Sequence, residues 1–352
     1  MRRIGNVWET IVSFDNLCRA AHAASRSKRA VRGVAQFLER LEPEVLQLQR
    51  ELVDGSYRPG TPFTFVVHDP KVREITAAPF RDRVVHHALI DPLEPWLDRR
   101  MIAHSYACRR GKGQHRALCH ARQLLRRNDW FLKLDVRAFF PSLRHCVVLD
   151  ALQRVVKDRR WLKLAEVIVR AGGCDNVGLP IGHLTSQWSA NLVLDGMDHW
   201  ICEALRVPGY LRYMDDFVLF ADSKPWLRQA QAEVAAHLGA IGLELKVRAT
   251  VLATARQGLP FLGFRIYRGT TRLRPENLHR TKARLRRRQW QFEQGVFDED
   301  RLADCPRSVA AHLNHGDTLA LRRSWFAINR FGSGSPAPPT ASTVAAASTT
   351  PP

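Results

Sequence analysis

The sequence predicts an α+β protein in which helices separate several strands, and the strands bring distant carboxylates onto one sheet surface. Two segments and their surroundings predict it. Tyr210-Leu211-Arg212-Tyr213-Met214-Asp215-Asp216-Phe217-Val218-Leu219-Phe220 sets two adjacent carboxylates between short apolar, β-branched or aromatic runs, the pattern of a hairpin with acid at its tip. Trp130-Phe131-Leu132-Lys133-Leu134-Asp135 is a second apolar strand that again ends in an acid. Around and between them, apolar residues recur at helical spacing. Neighbouring aspartates repel and weaken a strand, so Asp215-Asp216 needs an opposite charge nearby, for which a divalent metal is the usual candidate. An ordinary Asp-containing turn is the competing reading. The second acidic strand, carrying Asp135, favours the metal.

The elements follow in order. Residues 1–55 read as helical from the spacing of Phe37-Leu38, Leu41, Val45-Leu46, Leu48 and Leu52, with a stop at Asp54-Gly55 and a basic stripe over 26–32. Residues 63–67 turn extended, residues 71–77 form the returning strand, and 83–97 return to helical spacing interrupted by Pro92 and Pro95. Residues 143–171 and 184–206 read as helices, and Phe261-Leu262-Gly263-Phe264-Arg265-Ile266-Tyr267 as a further strand. A helix over 277–301 carries Arg280, Lys282, Arg284, Arg286, Arg287 and Arg288. The final segment, 332–352, is Ser, Thr, Ala, Pro and Gly without apolar period, the composition of a disordered tail.

Length and charge narrow the class. A chain of 352 residues suggests two or three packed subdomains. Lysine and arginine number 54 against 34 acids, a net charge of +20 that favours a polyanionic partner, nucleic acid before an anionic membrane surface. No apolar run reaches the roughly 18 residues of a spanning helix, and no signal stretch opens the chain, so a soluble, cytoplasmic protein is expected. The seven cysteines are odd in number and lack a C-x-x-C, which argues against a disulfide framework or structural zinc and for reduced, mostly buried thiols.

Asp135 with Asp215-Asp216 would form a cluster of hard oxygen ligands. Magnesium takes such sites through one or two carboxylates plus substrate phosphates, and two ions together clamp an in-line phosphoryl transfer. The chemistry indicated is nucleotidyl transfer or phosphodiester cleavage.

Over roughly residues 60–270 the chain resembles a reverse transcriptase, its motifs in the family's order. Lys71-Val72-Arg73-Glu74-Ile75 with Pro79-Phe80-Arg81-Asp82-Arg83-Val84-Val85-His86 resembles the first finger motif, and Ser105-Tyr106-Ala107-Cys108-Arg109-Arg110-Gly111-Lys112-Gly113 the second. Leu134-Asp135 to Ser142 is similar to motif A, Gly178-Leu179-Pro180-Ile181-Gly182-His183-Leu184-Thr185-Ser186-Gln187 to motif B, and Tyr213-Met214-Asp215-Asp216 to motif C. Gly242-Leu243-Glu244-Leu245-Lys246 resembles motif D, and Phe261-Leu262-Gly263-Phe264 the strand before the thumb. The resemblance implies a right-hand polymerase with an antiparallel palm sheet: a helical N-terminal extension over 1–58, fingers and palm over 59–270, a short basic helical thumb over 271–331, and the tail.

It also implies roles. Asp135 and Asp215 would ligate two Mg2+ ions, with Asp216 a weaker or outer carboxylate and the Val136 carbonyl completing one coordination sphere. Lys71 and Arg73 would neutralise the triphosphate of an incoming dNTP, a structural surface pair being the alternative. Phe140, five residues after Asp135, resembles the ring that excludes a ribose 2′-hydroxyl, though a core Phe would look the same. Lys246 would protonate pyrophosphate, or is a solvated lysine at a strand end. Ile181 and Gly182 would border the nascent pair. Arg109, Lys112, Ser186, Gln187, Arg284, Arg286 and Arg287 would contact template RNA and the RNA-DNA duplex, unless the basic helix docks on an acidic protein instead.

Two features look most like the enzymes of diversity-generating retroelements: Ser186-Gln187 closing motif B where many relatives have Ser-Pro, and no further nuclease, integrase or maturase domain after the thumb. The family's common Leu-Pro-Gln-Gly is here Leu179-Pro180-Ile181-Gly182, and the loss of a geometry-dependent polar contact is a source of error-prone synthesis, against simple apolar repacking. His86 stands where many relatives have Gln, and neither it nor His87 is given a catalytic role. The subfamily implies an accessory variability protein, a structured template RNA, and a bacterial or phage-encoded origin. Retron-like or antiphage-defence enzymes are the runner-up, and a dead polymerase fold that binds RNA is the reading from another class.

Overall fold

Gly55 ends the N-terminal helices where the sequence places a stop. In the computed structural model, which describes residues 3–68, 72–296 and 298–328, helices run over Trp8–Val12, Phe14–Ala24, Arg32–Glu39 and Leu41–Asp54. Gly55 then takes φ +72°, a left-handed cap that costs a glycine little. Lys71 and the tail over 332–352 lie outside the described residues.

A two-stranded hairpin follows, β1 (Phe63–Val67) and β2 (Arg73–Ala77), antiparallel from Phe63 opposite Ala77 to Val67 opposite Arg73. The helical stretch expected over 83–97 is two helices, Phe80–Ile90 and Glu94–Arg100, divided at the prolines. A helix at Gln114–Arg127 fills a span the sequence reading left unassigned.

The central sheet is built from β3 (Trp130–Asp135), β4 (Gly209–Tyr213), β5 (Asp216–Ala221) and β6 (Val251–Thr254), in the order β4-β5-β3-β6. β5 is antiparallel to both of its neighbours. Its apolar residues Phe217, Val218, Leu219 and Phe220 are fully buried, as a strand covered on both faces requires. The helix Lys224–Ala240 packs on β3 and β5. The helix Leu184–His199 is buried on nearly every side and brings Asn191, Asp195 and Asp198 into the interior. A π-helical turn, Trp200–Ala204, continues it.

The stretch expected as one strand over 261–267 is a hairpin, β7 (Leu259–Phe261) and β8 (Phe264–Ile266), extended by β9 (Thr271–Leu273). Leu262 and Gly263, both at positive φ, turn the chain between the first two. The basic helix spans Pro275–Glu293 and ends earlier than the expected 301; Glu299–Leu313 is a separate helix. The chain forms two compact units, Met1–Ala117 with Asn128–Leu252, and Leu118–Arg127 with Ala253 onward. Leu285, Val309, Leu313 and Trp325 make a small core within the second. All seven cysteines are free, but none is buried: Cys108, Cys146 and Cys174 are exposed and the other four half-buried, with Cys18, Cys202 and Cys305 packed at core margins rather than inside.

Candidate active site

The acidic residues meet because β3 and β5 share a register. Pairing from Trp130–Ala221 onward sets Asp135 opposite Asp216, and the β4–β5 hairpin sets Tyr213 opposite the same Asp216. Met214, at φ +58°, makes the tight tip. The Val136 N–H donates to the Asp215 carbonyl at 3.3 Å, so the tip is tied to the chain just beyond β3. On the other side the Lys246 N–H donates to the Asp135 carbonyl at 2.8 Å, the Arg137 N–H donates to the Glu244 carbonyl at 2.8 Å, and Val136 bridges Leu245. Asp135, Val136, Asp215, Asp216 and Lys246 are thus neighbours through the backbone.

Burial pushes the Asp215 carboxyl up to about 6, reinforced by the negative charges of Asp216 and Asp135; its own backbone hydrogen bond and the Arg73 cation pull the other way. Arg73 lies at the start of β2, so the finger hairpin brings a positive charge to bear on the acidic cluster. Asp216 is held differently. The Lys133 ammonium donates to Asp216 Oδ1 at 2.5 Å, and its side chain is only 12% exposed. Sequence reading missed Lys133, although a lysine two residues before Asp135 in an apolar strand must share its face.

The donor set fits a hard divalent cation: three carboxylates in one neighbourhood, with mutual repulsion already visible at Asp215. Among the described residues no three His, Cys, Asp or Glu side chains are grouped so as to hold a metal ion by themselves, so the carboxylates here would need waters or substrate oxygens to complete a coordination shell. An open site suits magnesium, which keeps waters and substrate phosphates in its shell.

The 179–183 loop joins two elements. The Leu179 N–H donates to the Phe140 carbonyl at 2.9 Å, and the Thr76 N–H of β2 donates to the Ile181 carbonyl at 3.1 Å. Gly182 sits at φ +114°, where a Cβ would lie 3.3 Å from the Thr76 carbonyl oxygen and 3.4 Å from Ile75 Cγ2. The backbone angle, more than the close approach, calls for glycine here. Phe140 is half-buried, edge-on to Phe139 with ring centres 5.5 Å apart. His183 and His86 have ring centres 5.0 Å apart, and burial drives the His86 pKa down to about 3, so His86 is a neutral interior residue.

Other expected site residues do different work. The Arg109 guanidinium is buried and donates to Asp98 Oδ1, to the Asp98 carbonyl, and to the Ile102 and Ser105 carbonyls, so it braces its own loop instead of offering donors to a phosphate. Lys112 donates to the Ala103 carbonyl at 2.8 Å and lies over the Tyr106 ring. Ser186 is 4% exposed, on the buried side of its helix, while Gln187 is half-buried. Arg284, Arg286 and Arg287 are exposed around the buried Leu285 in the second unit.

The sheet, its acidic strand ends and the adjoining finger hairpin define an α+β polymerase of the right-hand type, with an antiparallel palm. The chain belongs to the reverse transcriptase (RNA-dependent DNA polymerase) family, whose model matches residues 68–266. It is 25% identical to protein YkfC of Escherichia coli K12 over 323 residues, 77% of this chain and 85% of that protein. It is 22% identical to the group II intron-encoded protein LtrA of Lactococcus lactis over 172 residues, 46% of this chain and 29% of that protein. With nuclear intron maturase 1 of Arabidopsis thaliana it shares 37% over 99 residues, 27% of this chain and 14% of that protein. Among solved structures, apo telomerase from Candida tropicalis matches with a TM-score of 0.44 at 11% identity, over 60% of this chain and 47% of that one. Among the described residues no helix is long and apolar enough to cross a membrane.

Proposed function

We propose that this chain copies RNA into DNA from deoxynucleoside triphosphates, with Asp135, Asp215 and Asp216 as its catalytic acids. The observation that carries it is the register match of Asp135 with the Asp215-Asp216 tip, in charge contact with Arg73 of the finger hairpin. Asp135 and Asp215 would hold two Mg2+ ions with the Val136 carbonyl, while Asp216, paired with Lys133, orients from outside. Bound there, the ions would supply Lewis-acid activation of the primer 3′-hydroxyl and of the α-phosphate. Arg73 and Lys71 neutralise the triphosphate. Phe140, Ile181 and Gly182 line the nascent pair, and Lys246, one backbone hydrogen bond from Asp135, protonates the departing pyrophosphate. Arg284, Arg286 and Arg287 track the duplex backbone. Asp215→Asn with Asp216→Asn should abolish extension of a primed RNA template while RNA binding persists; near-normal extension would remove the mechanism.

Within the family, Ile181 in place of glutamine and Ser186-Gln187 support an error-prone enzyme of a diversity-generating retroelement, working with an accessory variability protein. The intron-encoded relatives favour a second reading, a group II intron-type reverse transcriptase. Sequencing the cDNA separates them, since misincorporation concentrated opposite template adenines belongs only to the first.

A further inference from the structure

We propose that Arg212 is a positioning residue for the polymerase centre, holding the acidic hairpin tip at its working geometry through the Met214 carbonyl. The proposal rests on the polymerase reading above.

Arg212 lies on β4 with its side chain wholly excluded from solvent, an unusual place for a guanidinium. Its Nε donates to Asp198 Oδ1 and Oδ2 at 2.8 and 3.0 Å, and its Nη2 donates to Asp198 Oδ2 at 2.6 Å and to the Asn191 carbonyl at 3.4 Å. Its Nη1 donates to Asn191 Oδ1 at 2.9 Å and to the Met214 carbonyl at 3.1 Å. Asp198, equally buried, also accepts from the Tyr210 hydroxyl at 2.6 Å. Asn191 and Asp198 are two turns apart on the helix Leu184–His199, so one helix face clamps the guanidinium and leaves its Nη1 to reach the tip.

The backbone of Arg212 makes a second junction. Its N–H donates to the His104 carbonyl at 2.9 Å and its carbonyl accepts from the Tyr106 N–H at 3.0 Å, while Asn191 Nδ2 donates to the Ala107 carbonyl at 3.0 Å. Helix, hairpin and the 104–107 segment therefore meet around one residue. Met214, at positive φ, is the residue before Asp215, so a shift of its carbonyl moves the carboxylate directly. Stability alone accounts poorly for the arrangement, because a buried ion pair is often matched or exceeded by apolar residues of similar size. What apolar residues cannot supply is a directed donor to the tip.

That difference sets the test. Arg212→Met with Asp198→Leu removes both charges, so neither is left buried alone, and deletes the donor to Met214. Arg212→Lys keeps the charge beside Asp198, but its single nitrogen cannot also span Asn191 and Met214. Full-length variants are compared with wild type for thermal melting, primer-template affinity, kcat and dNTP KM, and Mn2+ binding followed by electron paramagnetic resonance. Both variants should melt cooperatively and bind primer-template within about twofold of wild type, with kcat down about 100-fold, KM little changed, and Mn2+ affinity reduced about tenfold. Wild-type kcat and Mn2+ affinity in a folded variant overturn the proposal. If Arg212→Lys fails to fold as well, the role is structural and the proposal also falls. A wild-type enzyme that never extends a primer strikes the polymerase reading instead, and the Mn2+ comparison then judges Arg212 alone.

Discussion

Replacing Asp215 by Asn should make the metal-free protein more stable, although it destroys the proposed catalytic site. Burial and the charges of Asp216 and Asp135 raise the Asp215 pKa from 3.8 to about 6. A shift of about two units, at ~1.4 kcal/mol each, corresponds to at most about 3 kcal/mol, and partial exposure of the side chain reduces this to about 1–2 kcal/mol. The sign follows from linkage: the folded state holds this proton more tightly than the unfolded state does. Stability is therefore fully present below pH 4 and is lost as pH rises through about 6. Asn carries no charge at any pH. Urea unfolding in EDTA should show Asp215→Asn more stable than wild type at pH 8, with the gap closing at pH 4. Adding Mg2+ at pH 8 should stabilise wild type and do little for the variant. Asp216→Asn should behave oppositely, since it strips the half-buried Lys133 of its carboxylate. Equal stability of Asp215→Asn and wild type at pH 8, or a gap that persists at pH 4, would refute the electrostatic account.

Three further outcomes are expected. Phe140→Ala should raise incorporation of ribonucleotides relative to deoxyribonucleotides in steady-state assays, and an unchanged ratio in a folded variant assigns the ring to the core. Replacing Arg284, Arg286 and Arg287 with Ala should flatten the slope of log affinity for template RNA against log salt by about 2–3, one phosphate contact per arginine; an unchanged slope and affinity would reassign the helix to a protein partner. Ile181→Gln should restore a polar group beside the nascent pair and lower misincorporation measured by cDNA sequencing, most of all opposite template adenines. Equal error rates at every base would remove Ile181 from the fidelity argument, and adenine copied as faithfully as other bases by wild type with its accessory protein would count against the diversity-generating reading.

The sequence by itself determined what local chemistry and periodicity can carry. The apolar runs of β3, β4 and β5, the acidic tip between β4 and β5, the stop at Gly55 and the helix breaks near Pro92 and Pro95 all depend on residues close in the chain. So does the charge of +20. Motif order carried the polymerase reading, because a family pattern survives without knowledge of packing. The tertiary structure decided which side chains use each other. Sequence spacing could not tell that Arg109 spends four donors on residues 98–105, that Ser186 faces inward, that the strand near 261 folds back on itself at Leu262-Gly263, or that Lys133 reaches Asp216 across 83 positions. Least legible was Arg212. In the sequence it is one more cation among 54, and only the burial of Asp198 and Asn191 beneath it turns that cation into a fixed strut behind the acidic tip. A charge's meaning depends on its dielectric surroundings and on its partner's geometry, and both are set by residues distant in the chain.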